Sequence, residues 1–256
     1  MTSKPEHPPA VKSFRDANLR GARFRSCELS EASMRGVIVA GMEVDSPWLF
    51  DGDEPFLVNG VDVLPYVDAE LDKRFPGRGQ RHADTPDGLR DAWAVLQRAW
   101  AATTERVAAM PPGTVDVSVD EEWSFAQTLR HLVMATDVWL GRSILGRDPG
   151  YHPIGLPYDG YAEDGNDTSF FTTEKPSYDE VLAARADRVG MVADYLAQVT
   201  PEELRIQRAN PWAPQYPETT LSCLHTILDE EWEHLRYAER DLDAIARADT
   251  PSGERP

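Results

Sequence analysis

Glu230 and His234 stand four residues apart in the run Leu228-Asp-Glu-Glu-Trp-Glu-His234-Leu-Arg. That spacing places two side chains on one face of an α-helix, one turn above the other. A carboxylate oxygen and an imidazole nitrogen so placed can share one metal ion. His131, in Glu122-Trp-Ser-Phe-Ala-Gln-Thr-Leu-Arg-His131-Leu-Val, supplies the third donor. Two neutral imidazoles and a carboxylate suit Zn²⁺, with Ni, Fe or Mn as alternatives, and leave a position open for water or a thiolate. Taken alone, each residue has a plainer reading. Glu230 lies in an acidic run with Asp229, Glu231 and Glu233, any of which can be a solvated carboxylate. His131 can be a hydrogen-bonded core histidine. Glu231, three residues before His234, is the rival carboxylate ligand.

Further residues fall near this face. Tyr237 and Asp241 follow His234 at helical spacing and are candidates for contacts behind the ligands or with substrate. Cys223, seven residues before Glu230, either lines the pocket or fills the core. His152 sits in a long connection and can reach the pocket mouth. His225 is nine residues before His234, out of phase with it, and should face away. His82 lies in a polar stretch read as linker.

Four long helices must position these groups. The first spans about 86–110, capped by Thr85 with Pro86 in its first turn. Val115, Val117 and Val119 then alternate as a short extended stretch. The second helix, about 125–145, opens on a Ser124/Gln127 capping box, and the third, about 178–199, on Ser177/Glu180. The fourth, about 219–248, carries Glu230 and His234. The short link between the first two lets them lie side by side. Some thirty residues separate the second from the third, long enough to return along a helix. Its Tyr151, Tyr158, Tyr161, Phe170 and Phe171 either roof a pocket or simply pack.

The chain before the bundle is different in kind. Phe14, Leu19, Phe24, Leu29, Met34, Val39 and Val44 recur every five residues, with a small or apolar residue two positions earlier. Neither the helical nor the strand period generates five. The expected organisation is a tail over 1–12, a repeat over 13–47, a connector with a short helix over 48–84, the bundle over 85–246 and a tail over 247–256.

Composition narrows the class. The net charge is −18 and the pI about 4.7, which argues against a surface that tracks nucleic-acid phosphates. No apolar run approaches the ~20 residues of a membrane span. Two cysteines in separate modules and a polar N-terminus point to a reduced, cytoplasmic protein.

The two ligand-bearing stretches resemble the DinB-like, or YfiT-like, metal-binding superfamily over roughly residues 86–246. The resemblance implies a mainly α fold: an up-down-down-up four-helix bundle with a long crossover after its second helix. It also implies one ligand from helix two and a pair spaced by four on helix four, here His131, Glu230 and His234. Most relatives carry His at both positions of the pair. The Glu at 230 is similar to the branch of mycothiol-dependent maleylpyruvate isomerases. Those enzymes add a C-terminal domain with a catalytic arginine, and nothing after residue 246 is expected to supply it, so the isomerase reaction is not carried over. The five-residue repeat resembles pentapeptide-repeat proteins. It implies a short, four-sided right-handed β-helix coil with the central and the small residues inward.

The leading expectation is a metal-dependent thiol S-transferase, with mycothiol as the implied cosubstrate and a small electrophile as its partner, in a chain that is monomeric or homodimeric. A metal-water hydrolase and a non-catalytic, stress-associated ligand-binding module are the alternatives. Acidic mimicry of DNA by the repeat is disfavoured, because Arg15, Arg20, Arg23, Arg25 and Arg35 stud its outward positions.

Overall fold

The computed structural model describes residues 13–249, so both expected tails, apart from the last helical residues, lie outside the described residues. The chain divides into two compact units, Met1–Asp45 and Ser46–Pro256.

In the first unit a backbone corner recurs with the sequence repeat. Positive φ angles fall at Asp16, Gly21, Ser26, Glu31, Gly36 and Gly41, one per pentad. Backbone bonds from Ala22 to Leu19, Ala32 to Leu29 and Met42 to Val39 close every second corner. The repeat therefore forms a regularly cornered coil. Its central side chains are not sequestered: Leu19 is 47% exposed and Phe14 65%. Seven pentads make fewer than two turns of a four-sided coil, so each inward residue lacks a covering layer on at least one side.

The second unit opens on a hairpin. β1 (Leu57–Val58) and β2 (Val61–Asp62) pair antiparallel across Asn59-Gly60, both at positive φ as a tight two-residue hairpin demands. Helix α1 (Leu64–Arg74) follows, with Pro65 in its first turn. The stretch read as linker is packed instead. Arg78 is 2% exposed and reaches Asp68 at 2.7 Å and Asp72 at 2.8 Å. Arg81 joins Asp68 and comes within 3.3 Å of Asp229. A guanidinium desolvated to this degree needs carboxylate partners, and the connector supplies them.

Helix α2 (Pro86–Ala108) begins where Thr85 accepts from the Gly88 amide, and α3 (Phe125–Thr136) and α4 (Tyr178–Gln198) both carry complete capping boxes. The alternating valines before α3 do not form a strand. Gly113 takes φ 92° and Thr114–Asp116 close a 3₁₀ turn. Beyond Thr136 the helix continues to Ile144 with wider, five-residue bonds, as from Leu145 to the Leu140 carbonyl. Such π-helical turns are rare and cluster at functional sites. After α4, β3 (Gln207–Arg208) pairs with β4 (Glu218–Thr219), and α5 (Thr220–Asp249) completes the bundle.

Close backbone approaches run from α2 to α4 and α5, and from α3 to the same two helices. The first two long helices are thus diagonal across the bundle, not neighbours as their short link allowed. Leu89, Leu96, Leu132, Leu140, Ile227, Leu235 and Leu242 meet in one core, each at most 2% exposed. Burial of each contributes about 1.5–3 kcal/mol. No described helix is long and apolar enough to cross a membrane.

Candidate metal centre

α3 and α5 face one another, and each is phased so that a polar donor interrupts its apolar stripe. His131, Glu230 and His234 each bring a ligand atom within 4.8 Å of the other two. His131 Nε2 lies 3.8 Å from Glu230 Oε2, and the two imidazole rings stack with centroids 4.9 Å apart. Donors at ~2.0–2.2 Å from one tetrahedral ion stand ~3.4 Å apart, so small side-chain rotations suffice to ligate. Among the described residues this is the one cluster of its kind.

The proton positions follow from the partners. His131 Nδ1 lies 3.0 Å from the Leu156 carbonyl, and His234 Nδ1 lies 2.7 Å from the Glu230 carbonyl. A carbonyl only accepts, so each Nδ1 is the donor in its contact, and His131 turns its other nitrogen, Nε2, toward Glu230. Burial, reinforced by His131, lowers the His234 pKa to about 4, so the ring is a neutral donor at pH 7. Burial works to raise the Glu230 carboxyl, but hydrogen bonding to His131 and attraction from both imidazoles hold it below the usual range. His234 and Glu230 are therefore held as the neutral imidazole and the carboxylate that a divalent cation requires.

The crossover between α3 and α4 contributes one of these bonds. Arg130 donates to the Ile154 carbonyl, and the Leu156 amide returns a bond to the Arg130 carbonyl, fixing the Leu156 carbonyl against His131. The aromatic residues of the crossover do not roof the triad. Tyr151, Tyr158, Tyr161 and Phe171 pack on one another, on Trp212 and on Met134 and Val138 in a small second core. His152 belongs to that region. Its amide donates to buried Asp137 at 2.8 Å, and its Nδ1 accepts from the Ile154 amide at 3.1 Å. It anchors the crossover and is not part of the triad cluster.

The other candidates separate in the same way. Glu231, the rival ligand, is 1% exposed and turned toward Arg185 at 2.5 Å. Cys223 is fully buried in the core, and burial pushes its thiol up to about 11. Tyr237 lies edge-on to His234 at 6.4 Å, with the guanidinium groups of Arg236 and Arg240 over its ring at 4.3 and 4.8 Å. Asp241 accepts from Arg240 one turn further on. His82 and His225 meet at a tilt with ring centroids 5.3 Å apart, His82 held by Asp229 and His225 by the Ala83 carbonyl.

Two contributors escape sequence reasoning. Trp123 packs on both histidine rings, 4.5 Å from His131 and 6.1 Å from His234. The signal for it was its place before the Ser124 cap, where an apolar residue staples back onto the first turns. Asp51, in the connector, feels the negative charges of Asp229 and Glu230. Partial burial and those charges raise its carboxyl. A groove of about 490 Å³ opens elsewhere, beside Gly79, His82, Asp91 and Arg98.

The comparisons with known proteins agree with this fold. A model of the DinB superfamily matches residues 95–238, from α2 to just past His234. A model of pentapeptide repeats matches residues 13–41. No curated protein and no solved structure matches the chain. More than half of the chain lies under the first match, with His131, Glu230 and His234 inside it: the chain belongs to the DinB superfamily, a metal-binding group, and carries pentapeptide repeats ahead of its bundle.

Proposed function

We propose that this protein is a divalent-metal-dependent enzyme that joins a low-molecular-weight thiol of the mycothiol type to a small electrophile. The carrying observation is a three-donor set, His131, Glu230 and His234, with both imidazoles oriented by backbone carbonyls. Three protein donors leave a coordination position for an exogenous group, the mark of catalytic rather than structural sites. An ion held there, with zinc the best fit to the donors, supplies Lewis acidity that lowers the pKa of a thiol so that its nucleophilic form persists at neutral pH. The histidines are 12% and 13% exposed and Glu230 33%, so the carboxylate side is the one open to a substrate. Tyr237, between Arg236 and Arg240, forms the neighbouring wall. Two free cysteines fit a reducing cytoplasm.

A second reading has its own observation. Trp123 lies against both imidazoles, and the 490 Å³ groove is not at the triad. A metal face plugged by side chains suits a non-catalytic binding module. One experiment separates the readings. Wild-type chain is loaded with zinc, freed of excess and analysed for metal, then assayed for conjugation of an electrophilic chromophore with a small thiol. We expect about one equivalent of zinc per chain and thiol-dependent turnover. His234→Ala should lose both, retaining at most about a tenth of each. Metal without turnover in the wild type selects the binding module. Turnover unchanged in the variant removes the proposal.

A further inference from the structure

We propose that the pentapeptide coil is a self-association surface, on which the first pentads of one chain stack head to tail against the last pentads of a second copy. The proposal is independent of the metal reading. Three observations of the coil carry it.

The coil is open along its axis. Phe14, Leu19, Phe24, Leu29, Met34 and Val39 occupy its central positions, and each is between 47% and 65% exposed. Single exposed apolar residues are ordinary, but a periodic row of this size marks a surface that another molecule covers. The main chain is open as well. Residues 13–45 include no paired strand. The bonds from Ala22, Ala32 and Met42 reach back three residues and close corners. The sides between corners therefore keep capacity to pair, as the edge of a sheet does.

The spacing of the corners decides what covers this surface. Positive φ at Asp16, Gly21, Ser26, Glu31, Gly36 and Gly41 turns the chain at every fifth residue. A straight strand could follow one side and then diverge. A chain that follows every side must turn at the same interval, with a small or apolar residue two positions before each central one. A second copy of the segment meets both conditions. Stacked repeats share a core with their neighbours, and about three are needed before that core is closed. Seven pentads fall short of two turns, whereas the fourteen of two stacked copies exceed three.

Charge sets the polarity of the stack. The first and last turns of a solenoid lie at opposite ends of its axis. Residues 13–27 hold four arginines, Arg15, Arg20, Arg23 and Arg25, against Asp16, a net of +3. Residues 28–45 hold four carboxylates, Glu28, Glu31, Glu43 and Asp45, against Arg35, a net of −3. Contact between two like ends would set like charge on like. Head-to-tail contact sets the basic end on the acidic end and continues the coil in one sense across the junction. Such a contact is heterologous and does not close on itself, so association grows with concentration.

The test measures the weight-average mass of the full chain by sedimentation over a wide range of concentration. In low salt the wild type should rise from one 28.6 kDa chain to at least about twice that mass. Salt at ~0.5 M should weaken the association roughly tenfold or more. Two charge variants separate the coil from any contact made by the bundle. Arg15→Glu with Arg20→Glu leaves both ends acidic, and Glu31→Lys with Glu43→Lys leaves both ends basic. Each variant alone should keep the mass of one chain over the same range. Mixed in equal amounts they should associate again, because each offers the end that the other lacks. That recovery also requires both coils to be folded, so it distinguishes a lost contact from a lost fold. A wild type that remains monomeric throughout overturns the proposal. Self-association that persists unchanged in both variants overturns it too, since the contact then lies elsewhere, and so does a mixture that remains monomeric.

Discussion

Two backbone carbonyls, from Leu156 and Glu230, orient the rings of His131 and His234. One comes from the crossover and one from the same helix a turn earlier, so the site is set by main chain that no side-chain substitution removes. The cysteines show the same dependence on surroundings. Cys223 is fully buried with its thiol pushed up to about 11, whereas Cys27 is exposed. A raised thiol pKa leaves almost no thiolate at pH 8, and burial blocks access as well. A chromogenic disulfide reagent at pH 8 should therefore titrate one thiol per native chain quickly and a second only in denaturant. Rapid reaction of both would contradict the burial of Cys223.

Between elements, the Arg185–Glu231 pair ties α4 to α5 beside Glu230. Both partners are buried, at 6% and 1% exposure, and Arg185 also lies 5.8 Å over the Trp100 ring. The pair's net stabilisation is small, because desolvation offsets attraction. Its loss is another matter. Arg185→Met should leave a buried uncompensated carboxylate and destabilise the bundle by about 3–5 kcal/mol, whereas Arg185→Met with Glu231→Leu should recover most of that. Urea unfolding of both variants measures the difference; a harmless single substitution would show that water reaches Glu231. The connector works similarly. Arg78 and Arg81 bind Asp68 and Asp72 and approach Glu233 and Asp229, which flank Glu230 on α5. The polar residues that made 78–84 resemble a linker are the ones that dock it.

For the whole molecule, charge and the candidate site divide unevenly between the two units. Residues 13–45 carry five arginines, Arg15, Arg20, Arg23, Arg25 and Arg35, against Asp16, Glu28, Glu31, Glu43 and Asp45, so the coil is neutral and the acidity resides elsewhere. Every group that forms or supports the triad lies in the second unit. A chain lacking residues 1–45 should keep its zinc stoichiometry and its thermal midpoint to within about 4–8 °C, the shift that ~1 kcal/mol produces in a smaller domain. Loss of metal uptake on this truncation, read by elemental analysis, would place part of the site in the coil.

Local rules determined much of this protein. Capping residues Thr85, Ser124 and Ser177 start three helices, and apolar spacing sets which face of each turns inward. The i, i+4 pair on α5 and the five-residue period of the coil are likewise legible in the chain alone, because each depends on neighbours a few residues away. Tertiary structure decided what distant segments do to one another. It turned Glu231 to Arg185 and Glu230 to the imidazoles, although the two stand side by side in sequence and differ only by 100° around the helix. It set α2 and α3 on a diagonal, drew the Leu156 carbonyl onto His131 and laid Trp123 over both histidines. Those outcomes depend on which surfaces can be desolvated together, and that is settled only when all four helices pack.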